Sequence, residues 1–310
     1  RVATAMIAVV ARDNAPPALE EFDDPSPSEG QLAVDVLAAG MNPVDLAMMR
    51  SGALPAVPGN EGVALAADGS RFYFERTITP FGSFAPRALV AAELPIPLPE
   101  ELSTADALAI GIAGLAGWLA LERAAALQPG ESVLVLGASG AVGQIATQAA
   151  RLLGAGRVVA AARERAAVAG LGADAVVELT GDYAAALREA AGDGFDVVVD
   201  PLFGKPLEAA LAASAPGARL VSVGASAGAT ATIDRSALVG RTLLTHGNRT
   251  TPVEVKRKAY ERMCGHVLAG ELAVLSEEIP LERFAEAFER QRSHPHVKLV
   301  LTNREPGGTP

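Results

Sequence analysis

The sequence predicts an α/β protein in which a mostly β segment precedes a segment of alternating strands and helices. The first hundred residues are rich in proline and in short β-type runs, such as Ala5–Ala11, Gln31–Ala39 and Arg71–Phe74, and show no long amphipathic helix before Thr104. From Ser132 the pattern changes to short apolar strands separated by Ala- and Leu-rich helical segments. This alternation is typical of a parallel sheet that is covered by helices on both faces.

The alternating segment contains six predicted strands, the number in a complete dinucleotide-binding sheet. The strands are Ser132–Gly137, Arg157–Ala161, Ala175–Glu178, Phe195–Asp200, Ala218–Val223 and Thr242–Thr245. The helices predicted between them are Val142–Leu153, Arg163–Leu171, Tyr183–Ala191 and Lys205–Ser214. They are followed by two amphipathic helices and a last strand, Val253–Ala269, Leu281–Ser293 and Val297–Thr302.

The composition favours a soluble globular enzyme with two domains. The chain has 310 residues, 50% apolar and 20% charged, and this length is large for a single core. The net charge of −10 disfavours a nucleic-acid-binding face, which needs clustered Lys and Arg. One cysteine, Cys264, permits no internal disulfide and agrees with a cytoplasmic location. We interpret it as a packed thiol rather than a nucleophile.

The apolar run Ala107–Leu121 predicts a closely packed buried helix rather than a membrane segment. It is shorter than the roughly 18–20 residues that are needed to span a bilayer, and it contains several glycines. We therefore expect no membrane association.

A run of small residues connects the first strand of the alternating segment to the helix that follows it. Backbone N–H groups at a helix N-terminus carry partial positive charge, and glycine lets a phosphate approach the backbone closely. The alternative is that the turn only connects the strand to the helix and binds no ligand, but the five further predicted strands favour nucleotide binding. The predicted phosphate-binding residues are Gly137, Ala138, Ser139, Gly140, Ala141, Val142 and Gly143.

The end of the second strand indicates which dinucleotide is bound. An NAD site would place an acidic residue there to hold the ribose 2′-hydroxyl. The chain instead continues with Arg163 and Arg165, separated by Glu164, and guanidinium groups bind phosphate well. We therefore predict NADPH as the cofactor. The alternative is a solvated helix start with incidental charges.

Short motifs along the whole chain resemble those of one enzyme family. In order and spacing they are similar to the zinc-independent quinone oxidoreductase branch of the medium-chain dehydrogenase/reductase superfamily, which contains zeta-crystallin and many enoyl reductases. The motifs are Ala39–Asp45 with Arg50-Ser51-Gly52, Pro58–Gly62, Phe81–Ala85, Gly114–Trp118, Ala138–Gly143, Leu171–Asp174 and Gly217–Val221.

The resemblance implies a domain organisation and an assembly. Residues 1–107 together with 252–310 would form a GroES-like domain, residues 108–251 a Rossmann-type NADP(H)-binding domain, and the cleft between them would hold nicotinamide and substrate. The resemblance also implies a homodimer joined through the nucleotide domain. The strand Thr242–Thr245 would otherwise be an exposed apolar edge.

The resemblance also suggests individual site residues. Asn42 would sit beside the nicotinamide and anchor the cofactor or polarise a substrate carbonyl, or else it caps local backbone before a proline. Asp45 would hold Asn42 or Arg50 in place, or is a helix-start acid. Lys298 would approach the cofactor phosphate, or is a surface lysine. Further cofactor contacts are expected at strand ends, from Gly224, Ser226, His246, Gly247 and Asn248.

His246 could in addition donate a proton, although a structural polar residue at a strand end is the alternative.

A metal site is not expected, because a catalytic zinc needs about three ligands of the Cys, His or acidic type. The β segment contains no Cys and no His. Without a metal, hydride transfer to an electron-poor alkene or quinone is the favoured chemistry, since charge delocalises into a conjugated carbonyl.

We therefore expect an NADPH-dependent reductase of a quinone or of an activated C=C bond (enone or enoyl) in a small conjugated substrate. Some positions differ from the family pattern: Ala116 stands where a Thr is common, and Leu46–Met49 lacks a Tyr. The loop from Glu61 to Arg71 is also short. Two alternatives stay open: an NADP(H)-binding relative without turnover, and a tailoring enzyme of secondary metabolism such as a trans-acting enoyl reductase or a cyclase.

Overall fold

The computed structural model describes residues 5–51 and 53–303, and these form two compact units. The first unit contains the described residues up to Ile112 and from Val274 onwards, and the second contains Ala113–Ala273. The sequence-based boundaries at 107/108 and 251/252 stay a prediction. Residues 252–273 lie in the second unit, where their helix packs: the rings of His266 and Trp118 are 5.4 Å apart.

The first unit is built on a mixed β-sheet and a separate hairpin. The hairpin pairs β1 (Ala5–Arg12) with β2 (Ala15–Asp23) in antiparallel fashion. The sheet strands are β3 (Gln31–Gly40), β4 (Glu61–Leu65), β5 (Arg71–Glu75), β6 (Arg87–Ala91), β7 (Ile96–Pro97), β14 (Ser276–Pro280) and β15 (Lys298–Thr302). Within the described residues their order is β14-β15-β3-β4-β5-β7, with β6 also on β3. The helices are α1 (Pro43–Ser51), α2 (Thr104–Ala109) and α9 (Phe284–Arg292).

The second unit is a doubly wound parallel sheet. In the described part of the chain its order is β10-β9-β8-β11-β12-β13, the arrangement of a complete dinucleotide-binding fold. Its strands are β8 (Ser132–Leu136), β9 (Arg157–Ala162), β10 (Ala175–Glu178), β11 (Phe195–Asp200), β12 (Ser214–Ser222) and β13 (Thr242–Thr245). Its helices are α3 (Ile112–Leu119), α4 (Ala141–Leu152), α5 (Tyr183–Ala191), α6 (Gly204–Ala212), α7 (Arg235–Leu238) and α8 (Val253–Leu268).

The core of the second unit explains why its strands were predictable. The strands β8, β9 and β11 are buried on both faces, and each contains a continuous apolar run, at residues 133–136, 158–162 and 197–199. Helices supply the covering layer, with Leu187, Leu207 and Leu211 packed against the sheet. The carboxyl ends of all these parallel strands lie at one edge, where ligands bind in such sheets.

Two predicted helices differ in the structure. The segment predicted as the helix Arg163–Leu171 contains only a 3-10 turn, Arg165–Val168, because Ala169 is extended and Gly170 has a positive φ of 83°. The single buried helix predicted for Ala107–Leu121 is divided into α2 and α3, followed by a π-helical turn, Ala120–Ala124. No helix among the described residues combines the length and apolar character of a membrane span.

Candidate active site

A glycine-rich turn connects β8 to α4 in the second unit. Gly140 is the N-cap of α4, with extended backbone (φ −76°, ψ 163°). Its N–H donates to the Gly137 carbonyl at 3.1 Å, and the Ala138 N–H donates to Ala161 O of β9 at 2.9 Å. Because Gly140 has no side chain, no side-chain cap meets the first N–H groups of α4 in the described part of the chain. These groups and the helix dipole favour an anion at this point.

Gly143 and Gly140 are glycines for different reasons. A Cβ on Gly143 would lie 2.5 Å from the Ala138 Cα and still closer to the Gly137 carbonyl oxygen, so only glycine allows helix and strand to pack this closely. For a Cβ on Gly140 the nearest atom in the described chain is the Gly137 carbonyl oxygen, at 3.6 Å. The space in front of Gly140 is therefore open, which is the fit that a pyrophosphate requires.

Two arginines follow the adjacent strand, β9, which ends without an acidic residue. Arg163 is exposed, and its guanidinium has no hydrogen bond or ion pair with any described residue. Arg165 donates from Nη2 to the Val176 carbonyl at 3.0 Å, and its Nε lies 3.7 Å from Glu178 Oε1. Arg163 is therefore the arginine of the pair that is available to a phosphate. That these arginines contact a cofactor stays a prediction.

Asp200 ends β11 at the same edge of the sheet and is fully buried. Its Oδ1 accepts hydrogen bonds from the N–H groups of Leu202 and Phe203, both at 2.9 Å, whereas its Oδ2 has no partner among the described residues. Burial raises the pKa of this carboxyl to about 6, against the opposing effect of the two N–H groups. The loop that Asp200 holds places Phe203 at φ 57° and ψ −164°, a conformation essentially confined to glycine.

Gly224 and Ser226 follow β12 and pack against this loop. A Cβ on Gly224 would lie 2.8 Å from the Pro201 carbonyl oxygen. The same oxygen accepts hydrogen bonds from the Ser226 N–H at 3.2 Å and from its Oγ at 3.1 Å. The close approach explains glycine at position 224. The cofactor contacts of both residues stay predictions.

His246 follows β13 and, with Gly247, lines a surface cavity of about 260 Å³ that Arg123 and Thr251 also line. Its Nε2 is buried and has no hydrogen-bond partner in the described part of the chain. Burial lowers the pKa of His246 and the Arg123 charge adds to this effect, although the Asn248 side chain opposes it. The lowered pKa favours the neutral ring, which carries one donor and one acceptor. The cofactor contacts of His246, Gly247 and Asn248, and proton donation by His246, stay predictions.

The first unit holds a buried polar cluster around the carboxylate of Glu61, the first residue of β4. Its Oε1 accepts hydrogen bonds from Lys298 Nζ at 2.5 Å and from Asn42 Nδ2 at 2.8 Å. Its Oε2 accepts from Tyr73 Oη at 2.8 Å and from the Ile112 N–H at 2.7 Å. Glu61 is completely inaccessible to solvent, and a charge in such a place needs both a countercharge and hydrogen bonds. The cluster supplies both.

Two glycines make room for this carboxylate. A Cβ on Gly40 would lie 2.9 Å from Lys298 Cε and closer to Glu61 Oε1. A Cβ on Gly111 would lie 2.8 Å from the Tyr73 ring and closer to Glu61 Oε2. Gly111 also lies at the break between α2 and α3. The predicted helix is therefore interrupted where the Ile112 N–H donates to Glu61 Oε2.

Asn42 lies between β3 and α1, and both ends of its carboxamide are engaged. Nδ2 donates to Glu61 Oε1 and, at 3.3 Å, to the Gly40 carbonyl. Oδ1 accepts from Lys298 Nζ at 2.7 Å. Local backbone capping is thus the smaller part of its bonding. A contact between Asn42 and the nicotinamide stays a prediction.

Asp45 holds the backbone of Asn42 from the first turn of α1. Its Oδ2 accepts the Asn42 N–H at 2.8 Å, one of the contacts that the sequence suggests, and its Oδ1 has no partner among residues 5–51 and 53–303. Burial raises the pKa of Asp45 to about 7, with the Glu61 charge adding to the effect and the Asn42 hydrogen bond and Lys298 opposing it. The alternative partner, the Arg50 side chain, lies outside the described residues.

Lys298 is 2% exposed, so the alternative of an ordinary surface lysine is wrong. The strand β15 places it inside the first unit, where its ammonium has Glu61 and Asn42 as partners. A contact with the cofactor phosphate stays a prediction.

Comparisons with known proteins give the family. A family model for zinc-binding dehydrogenases matches residues 141–257. The quinone oxidoreductase of Homo sapiens is 32% identical over 294 residues, which is 86% of this chain and 86% of that protein. The chain belongs to the quinone oxidoreductase-like branch of the medium-chain dehydrogenase/reductase superfamily. Membership places the protein among the oxidoreductases.

Solved structures agree on the fold of this oxidoreductase. A probable oxidoreductase from Mycobacterium abscessus superposes with a TM-score of 0.83 at 28% identity, covering 96% of this chain and 99% of that one. A mycobacterial protein in complex with NADPH gives a TM-score of 0.83 at 24% identity, with the same coverages. The predicted GroES-like and Rossmann-type folds are therefore confirmed.

The residues of this oxidoreductase do not fit a catalytic zinc. Within the described ranges, no three His, Cys, Asp or Glu side chains are grouped so as to hold a metal ion. Asp45 and Glu61 are the buried acids of the first unit's cluster, but both oxygens of Glu61 already accept hydrogen bonds. One of those donors is an ammonium group. A catalytic zinc would need about three protein ligands of the Cys, His or acidic type, and this cluster offers no such set among the described residues.

The predicted site residues thus lie in two groups. Asn42, Asp45 and Lys298 meet in the cluster of the first unit, and the turn, Arg163 and the strand-end residues share the sheet edge of the second. Sequence reasoning missed the roles of Glu61, Tyr73 and Asp200. Glu61 stands in the Pro-Gly-x-Glu motif and could have been singled out there, whereas nothing local marks the other two.

Proposed function

We propose that the protein is an NADPH-dependent oxidoreductase that transfers hydride to a quinone or to the activated C=C bond of a small enone or enoyl substrate, without zinc. The observation that carries this proposal is the open turn at the N-terminus of α4, where no described side chain caps the first N–H groups. When bound there, NADPH supplies the hydride.

The choice of NADPH over NADH rests on the end of β9. Arg163 offers an uncommitted guanidinium where an NAD-binding chain would place a carboxylate. The NADPH complex of the mycobacterial neighbour supports this choice of cofactor. The similarity to the quinone oxidoreductase of Homo sapiens supports a quinone as the acceptor. The turn residues of this chain would hold the pyrophosphate through backbone N–H groups, and Arg163 the 2′-phosphate.

The metal-free part of the proposal rests on the Glu61 cluster. Zinc normally stabilises the negative charge that develops on an alcohol or carbonyl oxygen. The chain offers an ammonium in its place, and conjugated acceptors need less stabilisation because the charge is delocalised. The residues of the first unit would then orient the substrate and exclude water rather than act as a Lewis acid.

The deciding experiment follows NADPH oxidation spectroscopically against quinones, enones and enoyl thioesters. We expect wild type to oxidise NADPH with at least one of these acceptor classes. We expect no oxidation by Gly140→Val, because the valine side chain fills the space of the phosphate. Turnover that survives in Gly140→Val would contradict the proposal. Addition of a strong zinc chelator should leave the rate unchanged.

A second candidate is an NADP(H)-binding relative without turnover. It is favoured by the engagement of both ends of the Asn42 carboxamide, which leaves that group fewer ways to polarise a substrate. Tight binding of NADPH without oxidation by any acceptor of the panel would support this candidate over the first.

We also propose that the protein forms a homodimer through β13. Among the described residues this strand pairs only with β12, so its outer edge has unpaired backbone groups. Light scattering at micromolar concentration should give twice the chain mass of 31.6 kDa. The mass of a single chain would refute the dimer.

A further inference from the structure

The buried cluster of the first unit contains a cation whose position suggests a role beyond charge balance. Lys298 lies on β15, which pairs with β3, and β3 in turn pairs with β4, which begins at Glu61. The sheet thus brings the ammonium to the end of β3, directly beside Asn42. Its Nζ donates to Glu61 Oε1 at 2.5 Å and to Asn42 Oδ1 at 2.7 Å.

The ion pair distinguishes between the two possible orientations of the Asn42 carboxamide. In the observed orientation, the oxygen faces the ammonium and the NH₂ group faces the Glu61 carboxylate. Turning the amide over would place NH₂ against the ammonium and oxygen against the carboxylate, so both contacts would become repulsive. The burial of all three groups strengthens this preference, because solvent screens it little.

We propose that Lys298 is a positioning residue: its ammonium neutralises Glu61 and fixes the carboxamide of Asn42 in one orientation. Its effect on turnover rests on the proposed function, whereas its effect on Asn42 does not.

The test must remove the charge pair without leaving a lone buried charge. Lys298→Met alone leaves the Glu61 carboxylate buried without a countercharge, so it should lower the midpoint of denaturation by urea. The deciding variant is therefore Glu61→Gln/Lys298→Met, in which both charges are absent. In protein labelled with ¹⁵N at asparagine, we expect the Asn42 side-chain amide protons of this variant to exchange about tenfold faster or more than in wild type. Unchanged exchange would overturn the proposal.

A matched control separates positioning from the mere loss of a buried lysine. Lys256 in α8 is likewise 2% exposed but lies in the second unit. Lys256→Met should leave the exchange of the Asn42 amide unchanged. An equal acceleration in this control would show that the effect is unspecific and would overturn the assignment.

Kinetics give a second, independent readout. With an acceptor that wild type reduces, Glu61→Gln/Lys298→Met should lower kcat with little change in KM, and it should have no further effect in an Asn42→Ala background. Additive losses would show that Lys298 does not act through Asn42. If wild type reduces no acceptor, the proposed function fails, and the amide exchange by itself decides whether Lys298 positions Asn42.

Discussion

Replacing either Gly140 or Gly143 by alanine adds the same methyl group to the same turn, and the structure predicts opposite outcomes. At Gly140 the new Cβ would have its nearest described neighbour at 3.6 Å, and the φ of −76° suits any residue. We expect the free energy of unfolding of Gly140→Ala to equal that of wild type or to exceed it by about 0.4–1 kcal/mol, since alanine restricts the unfolded chain.

The same methyl group occupies the space in front of the first N–H groups of α4. One charge-assisted hydrogen bond to a phosphate contributes about 1.5–3 kcal/mol, so the loss of one such bond should weaken NADPH binding by about tenfold to a hundredfold. The assay is the rise of the melting temperature with NADPH, which follows ligand concentration relative to Kd. Gly140→Ala should lose most of this rise while melting normally without ligand.

At Gly143 the added Cβ collides with backbone, at 2.5 Å from the Ala138 Cα. Overpacking of this kind costs about 1–3 kcal/mol, so Gly143→Ala should melt at a lower temperature even without NADPH. If Gly140→Ala binds NADPH like wild type, the turn is only a joint between strand and helix. If Gly143→Ala is as stable as Gly140→Ala, the packing argument is wrong.

Three further predictions concern single side chains. Arg163→Ala should reduce the preference for NADPH over NADH by about 1.5–3 kcal/mol in calorimetric titrations, whereas Arg165→Ala should change it little, because the Arg165 guanidinium already has partners in the chain; an equal effect of both would contradict this. Phe203→Gly should be more stable to urea than Phe203→Ala by about 1 kcal/mol or more, and the reverse order would exclude backbone strain. Because the pKa of Asp45 is raised to about 7, the native state keeps a proton on this carboxyl between pH 4 and 7 that the unfolded state has lost. The free energy of unfolding of wild type should therefore fall, relative to that of Asp45→Asn, as the pH rises through this range. Parallel pH profiles of the two proteins would refute the shift.

The second unit could be predicted from the sequence because its signals are local. Buried parallel strands are continuous apolar runs, and each is bounded by turn residues within a short window. The strands β10, β11 and β13 have the predicted ends. The phosphate turn is contiguous as well, so its residue types and order identify it without any long-range contact.

The first unit was harder, since its elements are short or mixed in pattern. The strand β4 is too brief to show a period, and the exposed β2 contains two prolines that argue against a strand. The nine-residue α1 was indicated only through the alternative role of Asp45 as a helix-start acid, because a proline at the first position and a short apolar run do not distinguish a helix from a loop. Such elements are decided by pairing partners and packing, which the local sequence does not contain.

The Glu61 cluster could not be assembled from the sequence for a related reason. Lys298 and Asn42 are separated by 256 positions, and residue type alone does not tell a buried lysine from a solvated one. The sequence does carry one indirect signal, the glycines at positions 40 and 111, each of which leaves space for an oxygen of the same carboxylate. A glycine at the end of a strand and another inside an apolar helical run look unrelated until the fold brings them to opposite oxygens of Glu61. The glycines would then be needed for the same reason as the lysine, because a buried carboxylate is tolerated only where each of its oxygens can be reached by donors.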